Sequence, residues 1–339
     1  MTIRLLATIV AVGTLAAGLA ACSPAKPPQS ANGLTPIKFA TDWHAQAEQG
    51  GFYEALATGE YRKRGLDVAI IQGGPAVNVP QLLATNAIDM GIGSNSFIVL
   101  NLAAANAPAK AVMASMQSDP QVLIAHPDAG INTLADVKGH PVLLADASIT
   151  GFWAWLKAKY GCTDDQGRKY DFSAAPFLAD KKAVQEGYLT SEPYTIEKTT
   201  GLKPTVFLLA DYGYPGYAAM VLASNKLIAS NPKAVKAFVD GTAAGWKAYL
   251  YGDPKPADAI ILKDNPEMTQ DMLDQARAKM RDKGIVLSGD AKTQGIGAMT
   301  DARWAAFFTM ASTQLPNDYP RTLDYRSAYT LQFLPTGVK

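Results

Sequence analysis

Residues 37–71 read IKFATDWHAQAEQGGFYEALATGEYRKRGLDVAII, and this stretch decides the fold. Ile37 to Thr41 is a short β-rich run. From about Gly51 to Arg64 the pattern is helical, with Phe52, Leu56 and Tyr61 available to one buried side. Gly65 suits the left-handed position that ends a helix. Leu66 to Ile71 is the next β-rich run. Short strands alternating with helices are the pattern of an α/β fold.

The alternation continues along the chain. A helix is expected over Asn78 to Asn86, a strand over Ile88 to Ile92, and a helix over Ser94 to Ala105 that starts on a Ser/Asn cap. Ala111 to Met116 and Gln121 to Ala125 read as strands, with a passage between two lobes near Asp119-Pro120. A short helix over Thr133 to Val137, a strand over Pro141 to Ala145 and an aromatic-rich helix over Ile149 to Tyr160 follow. Helix, strand and helix are expected over Lys181 to Glu186, Tyr188 to Ser191 and Tyr194 to Thr199. Val206 to Ala210 and Tyr217 to Ala223 are strands flanking the loop Asp211 to Gly216, the second expected crossover. Residues 232–315 are mostly helical; Val235 to Tyr251 carries Phe238, Val239, Thr242 and Trp246 at helical spacing. No internal repeat is visible.

The N-terminus reads as a targeting segment. Arg4 precedes the apolar run Leu5 to Leu19, which is short for a membrane span and typical of a signal peptide. It ends in Leu19-Ala20-Ala21-Cys22, which resembles the bacterial lipoprotein box and makes Cys22 the expected lipid attachment point. The other reading is an ordinary signal peptide cleaved near Ala21, with Cys22 incidental. Ser23 to Leu34 holds Pro24, Pro27, Pro28, Ser30, Asn32 and Gly33 and reads as a solvated tether. Anchor and tether together would place the folded part on the periplasmic side of the cell membrane.

About 300 residues remain, more than one core usually holds, so two lobes are expected. The expected division is 1–21 signal peptide, 22–35 tether, 36–120 first lobe, 121–213 second lobe and 214–339 the rest of the first lobe. Only Cys162 remains beyond Cys22, so no internal disulfide can form there. The 31 basic residues against 30 acidic ones give a near-neutral chain, which argues against nucleic acid as a partner.

Several motifs in order resemble one group of periplasmic binding proteins. They are Asp42-Trp43, Gly51-Phe52-Tyr53-Glu54-Ala55, Gly59-Glu60-Tyr61, Gly65-Leu66-Asp67-Val68, Gly73-Gly74-Pro75 and Asp89-Met90-Gly91 before Ser94-Asn95. Leu134-Ala135-Asp136-Val137-Lys138-Gly139 and Gln185-Glu186-Gly187-Tyr188 before Ser191-Glu192-Pro193-Tyr194 continue the likeness, over roughly residues 36–260. The chain is thus similar to the solute-binding proteins of ABC importers for nitrate, sulfonates, taurine and the pyrimidine precursor of thiamine. The resemblance implies a two-lobed type II periplasmic binding protein fold, joined by two crossover strands and closing on ligand like a hinge. It implies the permease and ATPase of an importer as partners, with a monomeric binding protein. Yeast-type relatives that synthesise pyrimidine carry a cysteine-rich motif; with Cys22 and Cys162 alone this chain departs from it.

Ligands of such lobes sit outside the carboxyl ends of the strands. That rule selects 40–53, 73–81, 91–95, 145–155, 187–194 and 210–217, and no Lys or Arg occurs in any of them. They carry Asp42, Glu48, Asp146, Glu192 and Asp211 among many aromatic residues. Such walls suit a neutral or cationic, flat, nitrogen-bearing molecule, because rings stack on a heterocycle or attract a cation and carboxylates accept from N–H groups. The candidate ligand residues are Asp42, Trp43, Tyr53, Asn95, Trp153, Tyr188, Glu192, Asp211 and Tyr214. Trp43 can equally pack a core, and of Trp153 and Trp155 at most one reaches the ligand. Glu192 can serve as a helix cap, Asn95 can do the same, and Asp211 and Tyr214 can be hinge residues. Backbone amides near Ser94 and at Ser148-Ile149-Thr150-Gly151 keep an anion such as a sulfonate, taurine or nitrate open as the alternative. An enzyme of pyrimidine metabolism is the second alternative.

No catalytic residue, metal site or cofactor is expected. His44, His126 and His140 lack metal-ligand spacing, Gly91-Ile92-Gly93-Ser94 is not a phosphate loop, and no Gly-x-Ser-x-Gly elbow occurs. The acids Asp164, Asp165 and Asp171 lack the spacing of a Ca²⁺ loop.

Overall fold

The computed structural model describes residues 33–149 and 151–335. The expected signal peptide, Cys22 and residues 23–32 of the expected tether lie outside them.

The ten strands are β1 (Thr35–Ala40), β2 (Leu66–Ile71), β3 (Met90–Asn95), β4 (Ala109–Met116), β5 (Gln121–Ala125), β6 (Val142–Leu144), β7 (Gly167–Lys169), β8 (Val184–Tyr188), β9 (Thr205–Leu208) and β10 (Ala218–Ser224). They form two five-stranded sheets, ordered β2-β1-β3-β10-β4 and β7-β6-β8-β5-β9. The two orders have one plan: three parallel strands, then an antiparallel strand, then an edge strand. In each sheet the antiparallel strand enters directly after a passage from the other sheet. The passages lie between Met116 and Gln121 and between Leu208 and Ala218. The carboxyl ends of β1, β3, β6 and β8 all feed the seam between the lobes.

Local chemistry explains where expectation and structure part. The helix expected over 51–64 is two, Gly50–Ala57 and Glu60–Lys63, because Gly59 takes the left-handed conformation at φ 73° and the Thr58 hydroxyl donates to the Glu54 carbonyl. The helix expected over 94–105 begins at Ser96, since β3 runs on to Asn95. The one expected over 149–160 is Asp146–Ile149 and Phe152–Tyr160, on either side of Gly151. Residues 181–186 are not helical, and the strand expected over 188–191 lies instead over Val184–Tyr188. Val184, Glu186 and Tyr188 alternate along β8, which is paired on both sides by β6 and β5. The ladder on two sides outweighs the helix propensity of the preceding lysines.

The helices after β10 complete the first lobe. Pro232–Tyr251 buries Phe238, Val239, Thr242 and Trp246 against Gly50–Ala57. Their backbones touch: a Cβ on Gly245 would stand 2.2 Å from the Gly51 carbonyl oxygen and 2.7 Å from the Ala55 methyl. Gly245→Ala is therefore expected to destabilise the chain by about 1–3 kcal/mol. Urea unfolding checks this; an unchanged midpoint would mean the helices part at no cost.

Arg303, on the helix Asp301–Gln314, ties the two passages together. Its guanidinium donates to the carbonyls of Gln117 on one passage and of Pro215 (3.1 Å) and Gly216 (3.0 Å) on the other. It also lies 4.0 Å from the centre of the Tyr217 ring. Beside it the Gln117 and Ser118 amides donate to the Ile285 carbonyl.

Candidate functional site

The lobes meet face to face along the seam. Glu48, on the turn after β1, accepts from the Thr190 hydroxyl beyond β8. The Trp43 ring stands 4.9 Å from that of Phe172, which itself packs 5.2 Å from Tyr170. Phe172 has φ 67°, a conformation bulky residues rarely hold, and is half exposed at the rim. Further out, Tyr194 and Lys198 both reach Asp271, and Lys283 pairs with Asp211. A cavity of about 390 Å³ opens along the seam between Asp42, Pro75, Val77, Asn78 and Ser94 of the first lobe and Ala147 of the second. That volume falls in the range of small-ligand sites.

Asp42 borders this opening, and three further carboxylates lie at the seam. Asp42 follows β1 and is bonded by the Ser94 hydroxyl and, at 3.5 Å, by the Gln49 amide. Glu48 is 4 % exposed. From the second lobe come Glu186, 6 % exposed on β8, and Glu192, at the first turn of the helix Glu192–Thr200. Glu192 accepts from the Tyr188 amide at 2.7 Å. Burial raises all four above the usual carboxylate range; Glu186 and Glu192 reach about 7. The charged groups that act on them are one another: Asp42 on Glu48, Glu48 on Glu192 and Glu192 on Glu186. Tyr188 stands among them, with Asp119, Asp42, Glu48 and Glu192 all holding its hydroxyl protonated once burial has done so. Asp119, at the first passage, is also raised by burial, to about 7, against a smaller opposing pull from Arg303. Among these groups two acceptor atoms have no partner, Glu186 Oε2 and Gln49 Oε1.

The nine residues singled out from the sequence divide in space. Asp42, Trp43, Tyr188 and Glu192 come together at the seam, and Tyr214 lies buried at the second passage, 5.4 Å from Trp155 and acted on by Asp119. Asn95 caps the helix Ser96–Ala104 by accepting from the Phe97 amide at 3.0 Å. Trp153 is buried in the second lobe and donates to Asp164 at 3.3 Å. Tyr53 is buried in the first lobe, where the charge acting on it is Asp264 and not a seam carboxylate. Asp211 is exposed and paired with Lys283. These last three lie away from the seam: helix packing directs the aromatic pair into cores, and a lysine on a distant helix pairs with Asp211.

Glu186, Asp119, Phe172 and Arg303 escaped the sequence reading. Glu186 was legible in the alternation Val184, Glu186, Tyr188, had the segment been read as a strand. Arg303 carried no local signal, since its partners lie some ninety and nearly two hundred residues away. The His126 and His140 rings donate to the backbone carbonyls of Phe177 and Lys182 and stand apart from the seam.

Comparison with known proteins agrees with this geometry. The sequence matches the model of a family described as NMT1/THI5 like over residues 46–257. No curated protein matches in sequence. The structure is similar to the periplasmic aliphatic sulphonate binding protein SsuA from Escherichia coli, with TM-score 0.67, 15 % identity and coverage of 90 % of this chain and 94 % of that one. It is similar to a Candida albicans gene product said to exhibit the generic periplasmic binding protein fold, with TM-score 0.58, 13 % identity and coverage of 90 % and 99 %. It also resembles the desulfurization enzyme DSZB, with TM-score 0.55, 12 % identity and coverage of 88 % and 97 %. The fold is that of the two-lobed periplasmic binding proteins.

Proposed function

This chain belongs to the NMT1/THI5-like family, and from that premise we propose that it is an extracytoplasmic solute-binding protein. In this reading the two lobes close on a small nitrogen-bearing solute and present it to the permease and ATPase of an ABC importer. Cys22 would carry the lipid that holds the chain at the membrane. The observation that carries the reading is the seam itself, where carboxylates and rings of the two lobes meet, Glu48 bonded to Thr190 and Trp43 packed on Phe172, beside a cavity that Asp42 borders. A flat heterocycle with N–H groups fits such walls: Trp43 and Tyr188 offer ring faces, and the carboxylates accept. A pyrimidine of the thiamine pathway is the leading candidate.

Binding is favoured over catalysis because the similar structures are mostly named as binding proteins. The similarity to DSZB shows that the fold hosts an enzyme as well as binding proteins. A sulfonate, taurine or nitrate is the second reading, favoured by the likeness to SsuA. Against it stands the lack of any Lys or Arg in the loops 40–53, 73–81, 91–95, 145–155, 187–194 and 210–217.

Calorimetric titration with 4-amino-5-hydroxymethyl-2-methylpyrimidine, taurine and nitrate separates these readings. Binding of the aminopyrimidine alone is expected. Glu192→Gln should weaken it roughly 10- to 100-fold, the usual cost of losing a charge-assisted hydrogen bond. Tight binding of only the anions would overturn the solute assignment, and turnover of any of the three would overturn the binding-protein reading.

A further inference from the structure

Charge on this near-neutral chain is sorted by position. The carboxyl ends of the parallel strands feed the seam, so their amino ends lie at two poles turned away from it, one on each lobe. At the pole of the first lobe are the connections 58–65, 85–89 and 105–108, which enter β2, β3 and β4, and 225–233, which leaves the antiparallel β10. They hold Arg62, Lys63, Arg64, Lys226 and Lys233 against Glu60 and Asp89 alone. The matching connections of the second lobe, 126–141, 161–166, 180–183 and 201–204, hold four lysines and five aspartates. Only the first pole is basic.

Hydrogen bonds tie its pieces together. The Thr35 amide donates to the Gly65 carbonyl at 2.9 Å, the Asn225 amide to the Pro108 carbonyl at 2.8 Å and the Ser224 amide to the Asp89 carbonyl at 3.1 Å. Glu60 is shared by Lys63 and Arg64, which leaves one positive charge over. Lys226 and Lys233 are exposed and make no ion pair among the described residues. A second observation is independent of charge. Gly33 and Leu34 lead into the amino end of β1, so the chain before them departs from this same pole. Cys22 lies eleven residues before Gly33, at most about 40 Å of chain. A lipid there keeps the basic pole near the bilayer, and one lipid anchor holds firmly only with a second attraction such as a basic patch.

Resting on the reading of this chain as an extracytoplasmic protein held through Cys22, we propose that the basic pole of the first lobe is a docking surface for a membrane rich in anionic phospholipid. Headgroup phosphates accept from Arg62, Lys226 and Lys233, and each exposed basic residue strengthens the contact about fivefold. The seam loops carry Asp42, Glu48, Asp146, Glu192 and Asp211 and no Lys or Arg, so the same membrane repels that end. Attraction at the pole and repulsion at the seam turn the protein one way: the first lobe rests on the bilayer with the mouth of the cavity away from it.

Vesicle sedimentation tests this on residues 23–339, which contain every described residue and lack Cys22. The vesicles are phosphatidylcholine alone, or phosphatidylcholine with about 40 % phosphatidylglycerol. At about 20 mM salt the chain should bind the anionic vesicles and not the neutral ones, and about 0.5 M salt should release it. Lys226→Glu/Lys233→Glu should weaken binding at least about 20-fold. Lys181→Glu/Lys182→Glu makes the same change of net charge at exposed positions of the opposite pole and should bind as the wild type does. Circular dichroism checks that both variants fold. A dye on Asn86→Cys, at the basic pole, should be quenched by a bilayer-borne quencher, and a dye on Val77→Cys, at the cavity, should not. Equal losses in the two lysine variants, binding to neutral vesicles, no binding to either vesicle, or quenching at Val77→Cys as strong as at Asn86→Cys would each overturn the proposal. Solute titration of the same samples reports separately on the solute-binding reading, which stands if the solute binds while the vesicles do not.

Discussion

Arg303→Ala is expected to lower the apparent melting temperature by roughly 5–10 °C, a loss of about 3–5 kcal/mol. The substitution leaves the carbonyls of Gln117, Pro215 and Gly216 without their shared donor and removes the cation from the Tyr217 ring. Lysine at this position recovers only part of the loss, since an ammonium lacks the planar fork that reaches both passages. The two passages also lose their link, so the variant should sample a wider range of lobe separations in solution scattering. A melting temperature within 1–2 °C of the wild type would mean that the Ile285 carbonyl and the sheets hold the passages unaided.

Asp119→Asn should act in the opposite direction and only at high pH. The folded chain keeps the Asp119 proton up to about pH 7, whereas the unfolded chain gives it up near 3.8. Between those values the folded state binds more protons. Stability from this group is therefore fully present below about pH 4, falls as pH rises, and is lost above pH 7, by roughly 4 kcal/mol in all. Asparagine keeps an oxygen for the Gln121 amide, which donates to Asp119 at 3.0 Å, and carries no charge. The variant is expected to be more stable than the wild type by a few kcal/mol at pH 8 and equal to it at pH 4. Equal urea midpoints at pH 8 would show that Arg303 already neutralises the ionised carboxylate. Because the two side chains act on each other, their effects should not add, and a double-mutant cycle measures the coupling.

Much of this architecture was legible in the order of the residues. The alternation of strand and helix, both passages at Asp119-Pro120 and at 211–216, and the buried face of Pro232–Tyr251 are set by local pattern. Strand ends that point at a seam follow from the fold, and so Asp42, Tyr188 and Glu192 could be placed there from sequence. What escaped depends on distance in sequence. The 181–186 segment looks helical from its lysines, and Val184–Tyr188 becomes a strand because β5 and β6 take it on both sides. Trp153 and Tyr53 are as aromatic as Trp43, but their directions are set by neighbouring helices that no local window contains. The twofold plan of the sheets has no counterpart in the residues, because a shared topology needs only matching polarity of burial and not matching side chains.

The placement of β5 and β10 sets an order of assembly. Sheet two consists of consecutive strands and has everything it needs once Leu208 has been made. Sheet one does not: β3 and β4 are separated by β10, so neither can take its neighbour until residues beyond 217 arrive. During synthesis or refolding the later lobe therefore matures first, while the earlier one waits with two unpaired strand edges. Nascent chains cut short between 209 and 217 would carry a finished half and a sticky one, which makes that interval the point of greatest exposure to aggregation.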